Sequence, residues 1–151
     1  MALLSGCMTD DKTSETNSYT VSDAVSALKV RSRGGLIDVV ASDRATVEVT
    51  EKLRYSGSKP ETEHAVSGST LSLDMKDCSS CEVSYRIKVP RTLAVTLLSE
   101  GGDVRVNAVS GKLAVTTNGG SASAQALTSA SARIRTDGGD ADAVLSTLST
   151  C

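Results

Sequence analysis

Along this chain apolar and polar residues alternate over short runs, and the runs break at pairs of glycines that recur in a fixed frame. The pairs are Gly34-Gly35, Gly101-Gly102, Gly119-Gly120 and Gly138-Gly139, the last three 18 and 19 residues apart. Four residues before each first glycine stands Val30, Leu97, Val115 or Ile134, and six before it Leu28, Val95, Leu113 or Ala132. Three and five residues after it come Ile37 and Val39, Val104 and Val106, Ala122 and Ala124, or Ala141 and Ala143. Side chains two apart share one face of a strand, so each frame reads as strand, corner, strand, with the apolar positions on one face. A period of about 20 residues marks a supersecondary unit copied and stacked on its neighbours.

The stretch between the first and second frames is less regular. Thr46–Tyr55 places Val47, Val49, Leu53 and Tyr55 on one face, with Lys52 and Arg54 on the other. Glu51 falls on the apolar face, which predicts a bulge or a sheet edge there. Ser56–Lys59 and Pro60 read as a polar turn, and Ala65–Leu73, broken at Gly68, as two short strands. Glu82–Val89 alternates without fault, pointing Val83, Tyr85, Ile87 and Val89 inward until Pro90 ends the run. No helical periodicity competes. These patterns predict an all-β domain over residues 19–151, a right-handed parallel β-helix or β-solenoid-like stack whose corners are the glycine pairs. An antiparallel β-hairpin meander is the alternative. Asn118-Gly119 and Asp137-Gly138 are hairpin signals, and in such a hairpin Val115 would face Ala122.

Composition adds constraints. A chain of 151 residues suits one domain. With no Trp, no Phe and three Tyr, its core must be built from Val, Leu, Ile and Ala. Sixteen basic residues against eighteen acidic ones give a net charge of -2, mixed along the chain, without the basic footprint of a nucleic-acid binder. No apolar run reaches the length of a membrane-spanning helix.

Leu4-Ser5-Gly6-Cys7 resembles the lipobox of bacterial lipoproteins, in which small residues give enzymes access to a cysteine whose thiolate accepts the lipid. Residues 1–7 then read as the remnant of a signal peptide, and the polar segment 8–18 as a flexible tether. Cys78-Ser79-Ser80-Cys81 lies between two strand-like runs. A thioredoxin-type redox site needs a βαβ context that is absent, and a zinc site would have to recruit His64 and Cys151. A disulfide between Cys78 and Cys81 pinning a turn, as an oxidising exterior permits, is the expected state.

The glycine frames, the tether, the lipobox and the central segment EKLRYS…TLSL…C…C-x-V-x-Y-x-I-x-VP together resemble the bacterial putative-adhesin family with β-strand repeats, over residues 19–148. The resemblance implies a β-helix-like fold and a location on the cell surface. It brings no catalytic motif, and an envelope-stress link in some relatives implies a second role.

The remaining chemistry is sparse. Gly101-Gly102-Asp103 and Gly138-Gly139-Asp140 look superficially like calcium-binding repeats, but Leu36 and Ser121 stand at the equivalent of Asp103 in the other frames. Asp137, Asp140 and Asp142 read as a solvated turn. Polysaccharide-active β-helices use paired carboxylates or aromatic platforms, for which three tyrosines and one exposed histidine, His64, are a poor supply. The sequence therefore predicts a non-catalytic, extracytoplasmic protein anchored to the membrane by lipid on Cys7. Its expected partner is an envelope or surface protein or polymer, with no cofactor, metal, nucleic acid or small-molecule substrate. Envelope-stress signalling is the alternative role, and a polysaccharide-active enzyme the third.

Overall fold

The computed structural model describes residues 13–57, 59–75, 81–127 and 131–145, and these contain strands and turns but no helix. The strands are β1 (Thr13–Val21), β2 (Ala27–Arg33), β3 (Ile37–Ser42), β4 (Val47–Tyr55), β5 (Thr62–Ser67), β6 (Thr70–Met75) and β7 (Cys81–Pro90). They continue as β8 (Ala94–Glu100), β9 (Val104–Asn107), β10 (Leu113–Asn118), β11 (Ala122–Leu127), β12 (Ala132–Asp137) and β13 (Ala141–Leu145). Seven form one sheet in the order β13-β11-β9-β3-β7-β4-β1, and six form another in the order β12-β10-β8-β2-β6-β5. A single core joins the inward residues of both: Leu28, Val30, Val95 and Leu97 from one sheet, Ile37, Val39, Val104 and Val106 from the other. Tyr85 is the largest of its fully buried side chains.

Each glycine pair stands where the chain leaves the six-stranded sheet and enters the seven-stranded one. The strands flanking Gly119-Gly120, β10 and β11, therefore lie in different sheets, and the hairpin pairing of Val115 with Ala122 does not occur. Successive frames stack in parallel. Leu28 pairs with Val95, Val95 with Leu113 and Leu113 with Ala132, while across the corner Ile37 pairs with Val104 and Val104 with Ala122. The first frame thus lies directly on the second, although residues 47–90 intervene. Strands β6 and β7 add one more parallel layer on the opposite side of the first frame, pairing Leu71 with Leu28 and Tyr85 with Ile37.

The fully parallel architecture expected from the repeats does not extend to the other end. Strand β4 runs antiparallel to β7, β1 antiparallel to β4, and β5 antiparallel to β6. The sheets are mixed and do not close on each other. Strands β5 and β6 are separated by only Gly68 and Ser69, with Gly68 at φ +62°, and so short a link joins only antiparallel neighbours. Two further expectations change. Thr13–Ser18, read as part of the tether, pair residue for residue with β4 from Tyr55 to Thr50. Glu51 sits on neither a bulge nor an edge, because β4 keeps unbroken register with β1 on one side and β7 on the other.

The corners explain why two glycines are needed. In the second frame Gly101 adopts φ +92°, a left-handed conformation that disfavours any Cβ. Gly102 has ordinary φ, but a Cβ there would overlap the carbonyl oxygen of Gly35 in the layer beneath. The second glycines of successive frames stack in a column. A buried hydroxyl two residues before each pair completes the corner: Ser99 Oγ donates to the Gly102 carbonyl at 2.9 Å, and Thr117 Oγ1 to that of Gly120 at 2.8 Å. Thr136 repeats the bond to Gly139 at 2.8 Å, whereas Ser32 donates to Val83 of the neighbouring layer at 2.9 Å. The working motif is Ser/Thr-x-Gly-Gly, whose hydroxyl the glycine spacing alone does not reveal.

Candidate functional site

Two regions gather polar side chains: the outward face of the seven-stranded sheet, and the end of the sandwich between β1 and β5. On the outward face, parallel register turns separate strands into rows. Asp38 on β3 lies between Arg86 on β7 and Arg105 on β9, and Ser123 on β11 extends the row. The Arg86 Nε lies 3.9 Å from Asp38 Oδ2, too long for a tight pair on so exposed a side chain. In the adjacent row Val40 lies between Lys88 and Asn107, with Gln125 next. These side chains border a groove of about 580 Å³ whose lining includes Asp38, Val40, Arg105, Asn107, Ser123 and Gln125. Where the groove begins, Asp103 Oδ1 accepts a hydrogen bond from the Ser121 N–H at 3.0 Å. Backbone ladders on both sides hold every strand that contributes, so the donors and acceptors of the groove are positioned before any ligand arrives.

The end of the sandwich is built differently. Glu51 is only 3% exposed, and its Oε1 accepts a hydrogen bond from Thr62 Oγ1 on β5 at 3.1 Å. Tyr19 on β1 stacks on His64 on β5, ring centroids 4.1 Å apart and planes 19° apart, so an aromatic pair ties the two sheets together here. The Tyr19 hydroxyl is buried without a hydrogen-bond partner, and that of Tyr85 donates to the Asp74 carbonyl at 3.4 Å. Burial first, and the Glu51 carboxylate second, push both tyrosines well above the ordinary phenol range. Beside them Lys59 Nζ meets Glu15 Oε2 at 2.7 Å, and this hydrogen-bonded pairing raises the lysine. A cleft of about 640 Å³ opens at this end, bordered by Asn17, Leu53, Lys59, Pro60 and Thr62. His64, expected in a charged connection, is thus part of a strand and of the clasp between sheets. Its ring stays exposed, as expected, while one of its faces lies on Tyr19.

The other residues singled out from the sequence are dispersed. Gly34, Gly35, Gly101, Gly102, Gly119, Gly120, Gly138 and Gly139 all occupy corners. Cys81 opens β7, opposite Tyr55, while Cys7, Cys78 and Cys151 lie outside the described residues. Asp137 ends β12 in one sheet and Asp142 lies on β13 in the other, with Asp140 in the turn between them. Among the described residues no three His, Cys, Asp or Glu side chains are grouped to hold a metal ion.

No protein-family model matches the chain, and no curated protein sequence does. The fold recurs in a solved structure. A putative cell adhesion protein from Clostridium sporogenes superposes with a TM-score of 0.52 at 10% identity, over 89% of this chain and 99% of that one. A putative adhesin from Parabacteroides merdae gives a TM-score of 0.43 at 9% identity, over 86% of this chain and 80% of that one.

Proposed function

We propose that this protein is a non-catalytic, lipid-anchored member of the putative-adhesin family with β-strand repeats, and that its solenoid-like stack presents a binding face at the bacterial cell surface. The observation that carries the reading is the outward face of the seven-stranded sheet, where register brings Asp38, Arg105, Asn107, Ser123 and Gln125 from three strands into one rigid groove. Such a face offers many modest polar contacts along an extended partner rather than one reactive centre, which is the chemistry of adhesion to a protein or polymer. The shared fold with a cell adhesion protein supports the same reading. Cys7 is the lipid acceptor in this scheme, and a disulfide joins Cys78 and Cys81.

Anchoring and binding are tested together. Metabolic labelling with a radioactive fatty acid is expected to mark the chain and to fail on Cys7→Ser. Envelope material captured by the purified chain is expected to be lost with Asp38→Ala combined with Arg105→Ala. Labelling of the Cys7→Ser chain equal to the unaltered one ends the anchor, and undiminished capture by the double variant removes the groove from the reading.

A further inference from the structure

The outward face of the six-stranded sheet gathers its basic side chains on two strands, β2 and β12. Register sets Lys29, Thr96, Ala114 and Arg133 in one row across β2, β8, β10 and β12. Arg31, Leu98, Thr116 and Arg135 form the next. A third row runs from Arg33 through Glu100 and Asn118 to Asp137. Over these four strands five basic residues oppose two acidic ones, a local surplus of +3 that Glu63 on β5 and Asp74 on β6 reduce to +1 over the whole face.

The surplus is organised. Lys29 and Arg31 make one basic ridge, Arg133 and Arg135 another, and three strand steps set the ridges about 14 Å apart. Between them lie only Thr96, Leu98, Ala114 and Thr116, which make a shallow floor. Glu100 engages Arg31 at 3.4 Å and Arg33 at 3.8 Å, while Lys29, Arg133 and Arg135 have no ion-pair partner among the described residues.

We propose that this face binds a linear acidic polysaccharide laid across the strands, its carboxylates meeting the two ridges and its rings lying over the floor between. A guanidinium presents a planar fork that matches a carboxylate in bidentate fashion. The Thr96 and Thr116 hydroxyls offer hydrogen bonds to sugar hydroxyls, and Leu98 with Ala114 gives ring C–H groups an apolar floor. An anionic bilayer fits less well, because Glu63 and Asp74 on the same outward face would be pressed against headgroups of like charge. The opposite face intersperses its charges, with Asp38 between Arg86 and Arg105, and its Lys52 on β4 provides the control. The inference deepens the binding-scaffold reading by naming a partner class, and it needs neither the lipid anchor nor the groove.

The experiment uses the full chain with polygalacturonate, neutral dextran and phosphatidylglycerol vesicles, read by affinity electrophoresis and co-sedimentation at low and high salt. Polygalacturonate is expected to retard the chain at low salt and dextran to leave it unaffected. Arg133→Ser with Arg135→Ser is expected to weaken binding about tenfold or more, as the loss of two charge-assisted contacts implies. Lys29→Ser with Arg31→Ser, away from the sheet edge, should do the same, and Lys52→Ser on the opposite face should not. Far-UV circular dichroism checks that each variant is folded. Absence of retardation, retardation of either double variant equal to that of the unaltered chain, or sedimentation with vesicles without retardation by polygalacturonate overturns the proposal; the anchor and groove tests are unaffected by that outcome.

Discussion

Replacing Gly102 by alanine tests the stacked corner directly. The new Cβ points into the carbonyl of Gly35, comes within 3.1 Å of the Gly35 nitrogen, and meets backbone that no rotamer change can move aside. Relief requires the β8–β9 layer to separate from β2–β3 by about 1 Å, against a normal strand spacing of about 4.8 Å. The bonds that flank the corner, Gly34 N–H to Glu100 O at 2.9 Å and Ile37 N–H to Asp103 O at 3.0 Å, would then stretch beyond useful length. Two backbone bonds at about 1 kcal/mol each, with about 1–3 kcal/mol of overpacking, place the cost near 3–5 kcal/mol. That is a large share of the roughly 5–15 kcal/mol that holds a domain together. Gly101→Ala is the control: nothing lies within 4 Å of its Cβ, so it bears only the left-handed penalty of about 1–2 kcal/mol. Gly139→Ala meets the Gly120 carbonyl in the same way and is expected to cost as much as Gly102→Ala. Urea unfolding followed by circular dichroism ranks the three, and hydrogen exchange should place the opening of Gly102→Ala at β8 and β9. A Gly102→Ala midpoint equal to that of Gly101→Ala would refute the stacked-column account.

Thr62→Val removes a donor from the buried Glu51 carboxylate and is expected to cost about 1.5–3 kcal/mol in the same assay, whereas Glu51→Gln keeps an acceptor for Thr62 and should cost far less. Stability should fall as pH rises above 10, because the unfolded chain then releases phenolic protons that folded Tyr85 and Tyr19 retain. Tyr85, 1% exposed, sets a slope of up to about 1.4 kcal/mol per pH unit, and the half-buried Tyr19 adds less. Glu51→Gln should shrink that alkaline loss, and ultraviolet difference absorbance of tyrosinate during unfolding reads it. Ala108 has φ +66°, so Ala108→Gly should relieve about 1–2 kcal/mol of strain, offset in part by unfolded-chain entropy, and raise Tm by about 1–2 °C in calorimetry.

The candidate faces were only half legible in the sequence. Alternation identifies Asp38, Arg105 and Ser123 as outward, yet nothing local says that Asp38 lies between Arg86 and Arg105, because β7 reaches that position from beyond three intervening strands. Likewise Glu51 reads as a misfit in an apolar row. Its burial is tolerable only because Thr62, from the other sheet, supplies a hydrogen bond across the sandwich.

What the sequence determined by itself is whatever depends on neighbours along the chain. Alternation at Leu28–Val30, Val95–Leu97 and Leu113–Val115 makes strands with one apolar face, and the first glycine of each pair makes a corner because it takes positive φ. Tertiary structure decided everything that depends on which strands meet. Asn118-Gly119 is as good a hairpin turn as a corner between sheets, and only the stacking of Gly102, Gly120 and Gly139 selects the second. The docking of the first frame on the second across residues 47–90, and the antiparallel addition of β1, β4 and β5, follow the same logic. Strand direction and order are set by long-range backbone pairing and shared burial, and a local pattern specifies a face without specifying its partner.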